Sequence, residues 1–221
     1  MHAMNDRLFS RCPALLAMAC AIALAPLPVF AANTSADFAV ARTQFEAGRA
    51  GSPDATGRAQ QLLAHLLKSD ADNPLYLAYY GSTFALQARD ARLPWTKINL
   101  INQGNAMIDH ALSLLDRQQS AASAPSALET RLVAIATFVA LPEGLFHRLG
   151  PARREYQKAL ASPAFATASH DLQGHLEFEG ALIARQDGDA GTERTTLQRV
   201  LALAPPSVDL AEVRARLADL H

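Results

Sequence analysis

Apolar residues recur along this chain at the spacing of an α-helix. Ala59, Leu62, Leu63, Leu66 and Leu67 fall at i, i+3, i+4, i+7 and i+8, which lays one apolar stripe along a helical surface. Leu77, Tyr80, Gly81, Phe84 and Ala88 form a second stripe, and Ile98, Ile101, Ile108, Leu112 and Leu115 a third. Leu128, Leu132, Ile135 and Val139 follow, then Phe165, Leu172, Leu176, Leu182 and Ile183, then Leu197, Val200, Leu201 and Ala204. No stretch alternates apolar and polar residues between hairpin turns, as strands would. The pattern predicts an all-α protein.

Polar punctuation divides the stripes. Asn73 precedes Pro74, and Ser162 precedes Pro163, each an N-cap followed by a proline whose missing N–H costs nothing at the first helical position. Ser126 and Glu129 have the spacing of a capping box. Pro142, Pro151 and Pro205 mark further breaks. Nine helices are predicted: 36–49, 55–69, 74–89, 97–118, 126–140, 145–160, 164–186, 190–204 and 207–220. Their short links fold neighbours into antiparallel pairs. In the last helix Leu210, Val213, Leu217 and Leu220 share a face, with Arg214, Arg216 and Asp219 pointing outward, as a capping helix requires.

The pairs echo one another. "GALIARQDGDAGTERTTLQRVLALAPP" resembles the second half of a tetratricopeptide repeat, with Gly188 and Asp189 at the turn and Pro205 seventeen residues after Gly188. "FEAGRAGSPDATGRAQQLLAHLLKSDADNP" is a looser copy with an insertion at its turn, and "AYYGSTFALQARD" looks like a first helix, Gly81 taking the small position where two helices touch. The likeness covers most of residues 36–207 in about four degenerate units. Glu177 and Gly180 depart from it, standing where large apolar residues are usual. The resemblance implies a right-handed solenoid of antiparallel helix pairs (tetratricopeptide-like) closed by a capping helix, and no particular reaction. "ARD", Pro94 and Lys97, then Gly104 and Asp109 and "LPEGLFHRLGPARREY", are also similar to a unit of uncharacterised exported bacterial repeat proteins.

The first 31 residues read differently. Arg7 and Arg11 form a basic start, "PALLAMACAIALAPLPVF" is an apolar run broken by prolines, and Val29 and Ala31 offer small residues for cleavage before Ala32. That is the three-part pattern of a secretory signal peptide, and the run is too short and too broken to span a membrane well. The expected mature domain is 32–221, a single unit placed in the periplasm. Both cysteines, Cys12 and Cys20, lie within the leader, so the mature chain holds no thiol chemistry or disulfide. "LAMA" before Cys20 faintly resembles a lipoprotein processing site, but its leucine is one place too far upstream. The chain carries 20 Lys+Arg against 21 Asp+Glu; losing Asp6, Arg7 and Arg11 with the leader leaves it slightly more acidic. A near-neutral balance without a basic run gives no case for nucleic acid or for an anionic membrane.

Candidate chemistry is sparse. His170 and His175 are five apart and diverge around a helix, a poor metal pair. His175 and Glu179, at i and i+4, are placed to share a proton or a metal, but no third ligand matches their spacing. Asp109 and His110 are adjacent and diverge by about 100° on a helix. "AYYGSTF" lacks the strand–turn–helix context of a nucleophile elbow, and no phosphate-cradling loop is present. No catalytic residue, cofactor or metal is expected.

What the tetratricopeptide-like resemblance implies is binding of another protein or a peptide. In helical solenoids the first helix of each pair lines the concave face. In that register Leu75, Ala78, Tyr79, Ser82, Leu86 and Arg89 face the groove, with core packing of Tyr79 as the rival reading. The loop at 90–97 is expected to close the second pair, Arg89 and Asp90 tying the helix end, Lys97 lying across the turn and Trp95 packed over both helix ends. Trp95 as an exposed anchor for the partner is the competing reading. Two alternatives stand behind groove binding: a structural part of an envelope or secretion assembly, and an enzyme using the His175–Glu179 region or the Arg89–Asp90 loop.

Overall fold

A computed structural model describes residues 29–117 and 124–220, with side chains from residue 35 onward. Eleven helices account for almost all of them, and no strand occurs among the described residues. They are α1 (Val29–Arg49), α2 (Pro53–Ser69), α3 (Pro74–Asp90), α4 (Pro94–Arg117), α5 (Pro125–Val139), α6 (Glu143–Phe146), α7 (Leu149–Ala161), α8 (Pro163–Thr167), α9 (His170–Asp187), α10 (Ala190–Leu203) and α11 (Leu210–Asp219). Residues 1–28, with Cys12 and Cys20, lie outside the described residues, and the last three residues of the expected leader open α1.

The helices pack in neighbouring pairs, α1 with α2, α3 with α4, α5 with α7 and α9 with α10, and α11 closes on α10. First members also touch in order, α1 on α3, α3 on α5 and α5 on α9. Second members meet the first helix of the next pair, as α2 meets α3, α4 meets α5 and α7 meets α9. Apolar clusters follow this order. Phe45, Leu63, Leu66, Leu77 and Leu114 fill the first two pairs; Ile108, Leu128, Ile135, Phe138, Leu176 and Ile183 fill the middle; Leu197, Val200 and Val213 fill the end.

Local chemistry explains where helices start. Asn73 Oδ1 accepts from the N–H of Leu75 at 3.1 Å and of Tyr76 at 3.2 Å, with Pro74 opening α3 as expected. Ser162 caps α8 through the N–H of Ala164. The Ser126–Glu129 capping box does not form. Pro125 starts α5 one residue earlier, Ala124 is the cap residue, and Glu129 turns to a different task. The helix expected over 164–186 is two: Ala168 and Ser169 are extended, and the Ser169 hydroxyl accepts the Leu172 N–H to begin α9 afresh. Likewise 145–160 divides at His147 and Arg148, where His147 is left-handed (φ 52°) and Glu143 accepts the Leu149 N–H at 2.7 Å.

Two glycines set how closely helices approach. A Cβ on Gly81 would lie 2.8 Å from the Gly104 carbonyl oxygen, and one on Gly104 would lie 2.6 Å from that of Gly81, so α3 and α4 touch backbone to backbone. Gly180 makes room for Tyr156, whose Cζ a Cβ there would meet at 2.3 Å. The Tyr156 hydroxyl then donates to Glu177 Oε2 at 2.9 Å. The two departures from the repeat pattern, Glu177 and Gly180, are thus one device: α7 supplies the missing large ring. Burial, and then the facing Glu177, push the Tyr156 phenol well above its ordinary range.

Arg131 and Glu155, both buried, are paired. Arg131 of α5 binds Glu155 of α7 and reaches Asp116 of α4 at 2.9 Å, and Lys158 joins Asp116 at 2.7 Å and Glu155 at 2.9 Å. This network ties three helices; removing one partner would strand charge in the interior. In α11, Val213 is fully buried while Leu210, Leu217 and Leu220 pack beside it. Arg216 is not outward: its guanidinium lies 5.5 Å from the Phe178 ring centre and pairs with Glu212 at 2.7 Å. Its aliphatic stem is better buried than solvated there.

Candidate functional site: an interhelical groove

One groove of about 1320 Å³ runs along the first helices of all four pairs. α1 contributes Arg42, Phe45, Glu46 and Arg49; α3 contributes Tyr79, Ser82, Ala85, Leu86 and Arg89. α5 forms the floor with Leu132, Val133, Ala136, Thr137 and Val139, and α9 the far wall with Leu172, His175, Phe178, Glu179, Leu182 and Arg185. Small floor residues flanked by aliphatic and aromatic walls make the centre apolar. Cations and carboxylates stand along the sides.

Each polar wall group near α3 is held by another helix. The Tyr79 hydroxyl donates to Glu129 Oε1 at 2.7 Å, and Arg42 Nε lies 3.3 Å from the same oxygen. The Tyr79 ring is only 3 % exposed and meets Phe38 and Phe45 edge-on, with centroids 5.4 Å and 4.9 Å away. Core packing and groove lining therefore coincide in one residue. Its burial, reinforced by the Glu129 charge, drives the phenol far above its ordinary range, so it stays a donor. Ser82 shares a hydrogen bond with Thr137 at 2.7 Å and also donates to the Ala78 carbonyl. Arg89 grips Asp90 at 2.8 Å while donating to the carbonyls of Gly48 at 3.0 Å and Arg49 at 3.2 Å, joining α3 to the end of α1. Lys97 donates to the Arg89 carbonyl at 3.2 Å across the turn.

Of the residues singled out from sequence, Tyr79, Ser82, Leu86 and Arg89 line this groove. Leu75 and Ala78 do not; both pack into the cluster between the first two pairs. Trp95 also lies elsewhere. It opens α4 with 62 % of its surface exposed and does not cover the helix ends. Pro94 starts the helix immediately after the link, which leaves the indole on an outer turn. Glu129 and the α9 wall were missed, since their place depends on contacts some fifty to a hundred residues apart in sequence.

The far end gathers His175, Glu179 and Ser207. The Ser207 hydroxyl is 3.4 Å from His175 Nδ1, and Glu179 Oε1 is 3.7 Å from His175 Nε2. The second separation is outside hydrogen-bond reach, so the three do not form a proton relay. Asp171 takes the Ser207 backbone N–H at 2.9 Å and anchors the α10–α11 link against α9. No group of three or more metal-ligating side chains occurs among the described residues, and no described helix is long and apolar enough to cross a membrane. No protein-family model, curated protein or solved structure matches this chain.

Proposed function

We propose that this chain is an exported, tetratricopeptide-like helical-repeat protein, acting in the periplasm, that holds a segment of another protein or peptide in its interhelical groove. The observation carrying the reading is that a single groove is lined by the first helix of every pair. A stack of separate structural packing faces has no need of a continuous 1320 Å³ channel. Small residues at Ser82, Ala85, Ala136 and Thr137 leave the groove open to a partner's side chains, and Leu86, Leu132, Phe178 and Leu182 offer apolar surface. Tyr79, Arg42 and Glu129 are already fixed by one another, so binding does not have to order them.

Filling the groove tests this. Ala136→Trp places an indole on the floor of a space large enough for it, so folding should persist with a melting temperature close to that of the parent. Peptides selected from a display library on the parent protein should then lose binding to Ala136→Trp by at least about tenfold. Equal binding by a stably folded Ala136→Trp would remove the groove from the function and leave the envelope-assembly reading in its place.

A further inference from the structure

We propose that the end of the molecule carrying the α3–α4 and α5–α7 links seats in the headgroup layer of an anionic lipid bilayer. Large exposed apolar side chains are few among the described residues, and four of them, Leu93, Trp95, Ile98 and Leu145, fall in these two links or the first turns beside them. Trp95 and Ile98 are i and i+3 on α4, hence on one face. Leu145, 70 % exposed, is carried by the one-turn helix α6. Phe146 beside it packs with Leu100, Ile101, Leu141 and Ala88, which holds that turn against the start of α4.

The apolar tips sit on a fixed base. A flexible loop would lose conformational freedom on insertion; here the backbone is already ordered by Pro94, by the Lys97 contact to the Arg89 carbonyl and by Glu143 capping Leu149. Tryptophan suits the boundary between headgroups and acyl chains, having an apolar body and a polar N–H.

Charge selects the occupant. Arg92 is exposed and Lys97 half-exposed within the same stretch, and long basic side chains reach headgroup phosphates while their stems lie along apolar surface. Asp90 is paired with Arg89, and Glu143, which accepts the Leu149 N–H, keeps its negative charge, so Arg92 and Lys97 leave these links one positive charge in excess. The near-neutral balance of the whole chain conceals this local cationic excess. Leu93, Trp95 and Leu145 lie outside the groove lining, so the inference stands apart from peptide binding.

Trp95 is the only tryptophan in the chain, so its fluorescence reports on this end alone. The full chain is titrated with vesicles of phosphatidylcholine mixed with phosphatidylglycerol. The emission should shift to the blue and be quenched by lipids brominated on the acyl chain. Leu93→Ser with Leu145→Ser, which keeps the reporter and removes only exposed groups, should weaken the response by about tenfold or more. Vesicles of phosphatidylcholine alone should bind more weakly. An unmoved spectrum on mixed vesicles overturns the proposal, and a Trp95 shift caused only by added envelope protein would make this end a protein-docking surface instead. A full response in the double variant overturns it equally.

Discussion

Trp95 and Tyr79 show how differently two aromatic residues of one helix pair are used. The sole tryptophan, with most of its surface in solvent, should be nearly neutral to stability: Trp95→Ala is expected to change the thermal midpoint little, where a buried aromatic would cost about 3 kcal/mol or more. A large fall in melting temperature would mean that the indole folds back onto the helix ends. Tyr79→Phe is expected to cost about 1 kcal/mol in chemical denaturation, because Glu129 loses its donor while the ring packing survives. Of these two positions only Tyr79 was legible, its place following from helix register. The rotation of Trp95 depends on where Pro94 restarts the helix, which no periodicity reports.

At the level of elements, the strongest constraint is contact of α3 with α4 at Gly81 and Gly104. Gly81→Ala must push the two backbones apart and should destabilise by about 1–3 kcal/mol, although alanine is the better helix former. The ion network joining α4, α5 and α7 gives a pH dependence of known sign. Burial would raise the Asp116 carboxyl, but its hydrogen bonds to Lys158 and Arg131 outweigh this and hold it below its ordinary 3.8. A lowered folded value means that the ionised carboxylate stabilises the fold above that ordinary value, and that the gain disappears as pH falls through the lowered one. Thermal melts should therefore show an acid-side loss of stability in the parent that is reduced in Asp116→Asn. Helix identity was legible wherever Asn73, Ser162 or the apolar stripes spoke plainly. The division at Ser169 was not, because Phe165 and Leu172, seven residues apart, keep helical phase across the break and the serine cap looks like any polar helix residue.

Across the whole molecule, the pairwise order makes the C-terminal helix a lid on the final cluster. Deleting residues 207–221 should uncover Leu197, Val200 and Leu201 and drive the protein to aggregate in size-exclusion chromatography. A truncated chain that stays monodisperse and melts unchanged would deny α11 that task. The all-helical class was written into the 3.6-residue rhythm, whereas the groove emerges only when α1, α3, α5 and α9 are set side by side. Its near wall followed from one helix; its floor and far wall required knowing which segments meet.

The order in which those four helices touch also has a mechanical side. Each packs chiefly on its neighbours, so a chain held by its two ends and stretched in optical tweezers should yield in several small extensions as pairs peel away in turn. A segment lying along the entire groove would join α1 to α9, the two ends of that order. Loaded with such a cargo, the same molecule should resist as one body and then give way in a single long step.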